Sequence, residues 1–385
     1  MTSAGPGPEL RPSAERPTGR IEAMRHLMMR HHLRDSFALG KQPFLYNSGL
    51  AGLQAGLTVA IALPLINLSP WPHLIGFGSL GALIALFGRF APHRDRSRVV
   101  LACGFWQVMA VLVMSTTALL GAPLPLQFAL LALSCGFFFF VAVTGSFGPP
   151  GALIFVFAAG ASMGQVGSPT ELLERVSATA VVAALAWMVC RTTETLRRPA
   201  PADRAFPAEP YRPIGHRLFA AGRIVAGSAV AIFASHAFGA DHPAWAAMGA
   251  LAVMQGSHLH ISLNRALQRM VGTILGAILA WLILFQGPSL WAIICALFLL
   301  QFATEMIIGA NYGLGQVLVT PMALLMSHLA APHVAGAAMA PERILDTLLG
   351  VCVGMACAVL FSSNDDRRYL ARHNAEKTGT QMTAR

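Results

Sequence analysis

Charge is what this sequence has least of. Asp, Glu, Lys and Arg make up 11% of its 385 residues, while 55% are hydrophobic; an ordinary soluble domain carries about 25% charged residues. The shortage is concentrated in two blocks. From Tyr46 to Cys190 the only acids are Asp95, Glu171 and Glu174, and the only bases are Arg89, Arg94, Arg96, Arg98 and Arg175. From Arg217 to Phe361 the acids are Asp241, Glu305, Glu342 and Asp346, and the bases are Arg217, Arg223, Arg265, Arg269 and Arg343. Two long apolar blocks bounded by charged segments indicate an integral membrane protein of all-α class.

Other absences narrow the function. No P-loop, nucleophile elbow, paired carboxylates or metalloprotease motif is present, so no enzyme is expected and ATP cannot power the chain directly. No cofactor is expected either. Gly76-x-Gly78-xx-Gly81 matches the dinucleotide fingerprint in letters alone, inside an apolar helix with no strand before it. The six cysteines form no Cys-x-x-Cys pair and read as small packing residues. His258/His260 and His328/His333 lack the Cys or carboxylate company of a metal site. The first 42 residues hold no apolar run of a secretory signal. The net charge of +10 does not imply nucleic acid as a partner, because the bases lie in the termini and short loops.

What is present is a set of apolar runs. A hydrocarbon core about 30 Å thick needs roughly 20 apolar residues per helix. Spans are predicted near 47–67, 72–89, 99–120, 125–145, 148–166 and 173–192, and again near 218–238, 243–257, 268–286, 288–309, 313–330 and 342–361. With the N-terminus inside, nearly all Arg and both Lys residues fall in cytoplasmic segments, and the opposite loops are nearly free of Arg. This satisfies the positive-inside rule with both termini cytoplasmic. The expected organisation is an arm over 1–45, membrane halves over 46–195 and 217–361, a linker over 196–216 and a tail over 362–385. In the arm, residues 1–19 read as disordered. Residues 20–37 have the spacing of a basic amphipathic helix, lying on the membrane surface or solvated.

The halves repeat one another. Glu174-Arg175-Val-Ser-Ala-Thr179 corresponds to Glu342-Arg343-Ile-Leu-Asp346-Thr347, and Ser146-Phe147-Gly148 to Asn311-Tyr312-Gly313. Six spans per half make the repeats parallel, with a substrate path expected between them. Gly52-xxx-Gly56, Gly272-xxx-Gly276 and Gly350-xxx-Gly354 supply small faces for close helix packing.

Asp241-His242-Pro243-Ala-Trp245, followed by Asn264-Arg265 and Arg269-Met-Val-Gly272-Thr273-Ile-Leu-Gly276, resembles the signature of the fusaric acid resistance family, which overlaps the aromatic acid exporters. Asn311-Tyr312-Gly313, Thr320-Pro321 and Glu342-Arg343…Asp346-Thr347-xx-Gly350 fit the same pattern. The resemblance is good over 217–361 and weaker over 47–195. Many members carry a sizeable cytoplasmic domain, and this chain looks like a minimal, membrane-only form. The resemblance implies efflux of small organic anions such as aromatic carboxylic acids across a bacterial inner membrane, and with no P-loop to use ATP the expected drive is the proton gradient. Its distant similarity to plant organic-anion channels implies a passive channel as the alternative. A non-transporting membrane scaffold is a third reading. Besides lipid and the anion, a homodimer and a periplasmic adaptor are partners such a protein could take.

The candidate site residues are the polar groups inside the apolar blocks, each costly there unless it is used or paired. Glu305, flanked by Gln301 and Thr304, is either the carboxylate that couples efflux to protons or a structural group bonded to a neighbouring helix. Arg265 and Arg269, four apart on one helix face, suit capture of an anion or anchorage to headgroups. Asn311 and Tyr312 line a path or form a tight turn. His242 and Trp245 contact substrate or start a helix at the interface. Glu174, Arg175, Glu342, Arg343 and Asp346 are read as structural ion pairs at helix starts.

Overall fold

The computed structural model describes residues 40, 44–199, 212–256, 259–330, 339–362, 367 and 370. The helix expected over 20–37, most of the linker and most of the tail lie outside these residues. The described chain forms α1 Leu45–Leu68, α2 Ile75–Ala82, α3 His93–Leu119, α4 Leu124–Thr144, α5 Leu153–Ala161, α6 Pro169–Thr192, α7 Ile214–Ala237, α8 Ala244–Met254, α9 Leu259–Phe285, α10 Leu290–Ile307, α11 Tyr312–Ala330 and α12 Met339–Leu360. No strand occurs among the described residues.

Among the described residues nine helices are long and apolar enough to cross a membrane, not the twelve expected. The exceptions are α2, α5 and α8. At 1.5 Å per residue, 8 to 11 residues rise only about 12–17 Å. These three are apolar on every side: all of α2 and Trp245–Met254 of α8 are buried. Irregular backbone at membrane depth survives only where protein covers it, and α2 is followed by a 3-10 turn, Leu83–Leu86, and by Gly88 at φ 69°. The short helices still run between levels set by the long ones. Gly78 lies against Ile66 near the end of α1, whereas Arg89 reaches Glu305, which itself faces Gly52 near the start of α1. Gly151 lies near Gln255 and Gly164 bonds Gln127 at the start of α4. His242 bonds Glu342 at the start of α12, and Met254 lies by Cys357's neighbour Gly227 towards its end.

The three glycine pairs each have a partner helix. Gly52 and Gly56 face Phe302 and Phe298 of α10, Gly272 and Gly276 face Gln316, Val317 and Thr320 of α11, and Gly350 and Gly354 face Ala246 and Ala250 of α8. A side chain on Gly350 would run into the Ala246 carbonyl, so α8 and α12 meet backbone to backbone. Within the first six helices α2 packs on α6 and α3 on α6; within the second six α8 packs on α12 and α9 on α12. Between the sixes, α1 lies on α10 and α4 on α7, with α2 on α11 and α5 on α8.

Candidate functional site

Five helices of the second six bring side chains to one buried place. α12 contributes Arg343, 2% exposed, and Asp346, 3% exposed. The Arg343 guanidinium lies 5.1 Å from the centre of the Trp245 ring in α8. That face attracts a cation but does not neutralise it. His242 stacks on the same Trp245 at 4.5 Å and is held by Glu342: its backbone N–H donates to Glu342 Oε1 at 2.6 Å, and its Nδ1 lies 2.8 Å from Glu342 Oε2. Ser235 of α7 donates its hydroxyl to Asp346 Oδ1 at 2.6 Å. Arg269 of α9 donates to the Tyr312 hydroxyl at 3.2 Å and, weakly, to Gln316 Oε1 at 3.4 Å. Arg269, Asp346 and the Tyr312 hydroxyl lie within electrostatic reach of Arg343.

The donors and acceptors here are left incomplete. Arg343 Nε and Nη1, Arg269 Nε, Asp346 Oδ2 and Thr347 Oγ1 are buried without a hydrogen-bond partner among the described residues. No ion pair joins Arg343 to Asp346 or Glu342 there, contrary to the sequence expectation; Glu342 is turned to His242 instead. Burying an ion costs several kcal/mol unless partners are supplied. Two guanidinium groups share this interior with Asp346, while the Glu342 carboxylate is turned to His242, so the centre is left with buried N–H donors that no acceptor meets among the described residues. Those free donors suit a small carboxylate, which a guanidinium can grip through two parallel bonds.

The first six helices hold the same arrangement in satisfied form. Arg175 lies 5.1 Å over Phe77 of α2, and His73 meets Glu174 at 3.1 Å. Arg175, however, binds Glu171 at 2.5 Å and the Gln165 carbonyl at 3.2 Å. Where α12 has Asp346, α6 has Ala178. The Gly81 and Gly249 positions face the carbonyls of Thr179 and Thr347, so the short helix sits at one register on its partner in both sets.

The other predicted residues are placed apart from this centre. Arg265 is only half-buried, one position off the buried stripe that contains Arg269. The helix begins at Leu259, well before the expected span, so Arg269 sits nearly three turns inside it. Asn311 is the cap of α11, its Oδ1 accepting from Leu314 N at 3.1 Å, and it lines a cavity of about 310 Å³ between α9 and α11. Glu305 is not alone: Arg89, which follows α2 and was not singled out from the sequence, donates Nη1 to Glu305 Oε2, with both side chains 7% exposed. That pair ties the two sixes together.

A second network missed in the sequence closes the start of α3 against the end of α6. Glu194 receives Arg96 at 3.1 Å, Arg197 at 3.1 Å and His93 at 2.9 Å. Arg96 also donates to Gln54 Oε1 at 2.5 Å. Burial lowers the Arg197 guanidinium from its ordinary value despite Glu194 beside it. Arg94, Arg96 and Arg98 share one loop in the sequence, and only the fold shows that Arg96 turns inward.

A polytopic helical membrane protein with an under-compensated cationic centre in its second half is the class these features define. Residues 230–357, which contain the whole centre, match the family described as fusaric acid resistance protein-like. The chain is also 33% identical over 124 residues to the uncharacterized membrane protein YvaC of Bacillus subtilis (strain 168), a match covering 32% of this chain and 20% of that protein. No solved structure matches the chain. Residues 230–357, which make up most of the second membrane half, are thus similar to the fusaric acid resistance-like family, and the YvaC match points the same way to a membrane protein.

Proposed function

We propose that this protein transports small organic anions, such as aromatic carboxylic acids, outward across a bacterial inner membrane. The observation that carries the reading is Arg343: buried in a membrane helix within electrostatic reach of Arg269, with no ion pair or hydrogen bond among the described residues. A structural arginine would be satisfied, as its counterpart Arg175 is. Trp245 and Tyr312 add flat, amphipathic surface beside the charge, which suits an anion carrying a ring. The family match supports membrane transport and the outward direction.

The architecture in this reading is two parallel repeats with twelve crossings and both termini cytoplasmic. It is supported by the matching registers of α2 on α6 and α8 on α12, by the reciprocal contacts of α1 with α10 and α4 with α7, and by the short helices running between the two levels. The test is flux of a carboxylate panel into inverted vesicles that contain the purified protein. Saturable flux is expected, reduced about tenfold or more by Arg343→Gln, the loss of one charge-assisted contact, and kept by Arg175→Gln. Flux that never saturates would point to a passive channel instead. No flux of any acid would sink the organic-anion reading.

A further inference from the structure

Asp346 is the feature of this centre that anion capture leaves unexplained. It lies one turn from Arg343 on α12, is 3% exposed, and has one oxygen held by Ser235 and the other without a partner among the described residues. A carboxylate placed there weakens the field an anion would feel. The satisfied counterpart in α6 manages with Ala178 at the same place. Glu305, the other buried membrane carboxylate, is already clamped by Arg89 and lies outside this cluster.

We infer that Asp346 makes the site take up a proton together with its anion. The charged and titratable groups facing Asp346 are Glu342 and Arg343 on its own helix, His242 ahead of α8 and, through Arg343, Arg269 of α9 and Tyr312 of α11; α7 presents the Ser235 hydroxyl. With Asp346 ionised, the Arg343, Arg269 and Asp346 trio carries one net positive charge. With Asp346 protonated it carries two, and the free Oδ2 position becomes able to donate to a carboxylate oxygen. Protonation therefore tightens anion binding. By reciprocity, a bound anion raises the proton affinity of Asp346 by the same factor. Linkage of this sign moves anion and proton in the same direction. Export then runs down the gradient of the acid itself, and an inward proton gradient opposes it, which is the reverse of the proton-driven efflux expected from the sequence.

The inference rests on the anion reading above, and the test separates the two. Full-length protein in lipid nanodiscs is titrated with benzoate and with acetate between pH 6 and pH 8, where both stay largely ionised, and affinity and proton uptake are recorded together. The wild type should lose up to about tenfold in affinity per pH unit across the titration of Asp346, with uptake of up to one proton per anion bound. Asp346→Asn, which keeps an acceptor for Ser235, should bind at least as tightly as the wild type at low pH, with neither the slope nor the proton uptake. Glu305→Gln should retain both. Binding with no pH slope and no proton uptake in the wild type, or a slope that persists in Asp346→Asn, overturns the linkage and leaves the anion site standing. No binding of either acid at any pH overturns both. Proton uptake by the wild type needs no variant, so poor folding of Asp346→Asn would not rescue the idea.

Discussion

At the scale of single residues, the buried charges fall into two kinds, and mutation should tell them apart. Arg89 and Glu305 satisfy each other across the sixes. Removing one partner strands the other in a membrane interior, so Glu305→Gln or Arg89→Met should cost about 3–5 kcal/mol, whereas the joint replacement by apolar residues of similar volume should be close to neutral. Unfolding of the detergent-solubilised variants in a double-mutant cycle measures this; equal losses in single and double variants would show that the pair is not the source. Arg343 should behave in the opposite way. It has no ion partner to strand, so Arg343→Met should leave stability unchanged or raised while abolishing anion binding. A melting temperature that falls with Arg343→Met would make it a structural group. Which charges were unusual was legible in the sequence, since so few interrupt the apolar blocks. Their pairing was not. Arg89 and Glu305 are far apart in the chain, and Glu342 chose His242 over Arg343 because His242 offers both a backbone N–H and a ring nitrogen.

At the scale of elements, glycine sets the spacing of the centre. Trp245 can lie under Arg343 only because α8 and α12 touch through Gly249, Gly350 and Gly354. A methyl group at Gly350 would meet backbone atoms of Ala246, which cannot rotate away. Gly350→Ala should therefore destabilise the protein by about 1–3 kcal/mol. Gly222 in α7 has open space where its side chain would be, and Gly222→Ala should stabilise by roughly 0.5–1 kcal/mol through helix propensity alone. Thermal melting of the two variants side by side is the check, and a shift of the same sign in both would contradict the packing argument. The glycine pairs were visible in the sequence, but their partners were not. The short helices were hidden for a related reason. A hydropathy window averages over backbone geometry, so the apolar residues of α2 and its following 3-10 turn read as one span. The buried stripe of α9 begins among polar residues such as Ser262, which is why that helix starts earlier than its apolar run.

At the scale of the whole molecule, the question is whether nine long helices or twelve crossings decide the sidedness of the loops. The two counts predict different patterns. If α2, α5 and α8 cross despite their length, then Trp71, Gln165, Asp241 and Gln286 lie on one side of the membrane, and Arg94, Ser146 and Arg212 on the other. All seven are exposed. If α8 does not cross, Asp241 and Gln286 fall on opposite sides; if α5 does not, Gln165 joins Ser146; if α2 does not, Trp71 joins Arg94. Single cysteines at these positions, in a chain whose six native cysteines are replaced, can be labelled on intact cells with a membrane-impermeant maleimide. Labelling of the first four and protection of the last three is expected, because it also puts the arginine-rich loops inside. That pattern carries a functional consequence. It places the His242–Glu342 pair towards the outer face and Arg269, with Tyr312, on the inward side of Arg343, so an anion arriving from the cytoplasm would meet Arg269 first. Labelling of Asp241 without Gln286 would break this order and put Arg269 on the outward side of the centre.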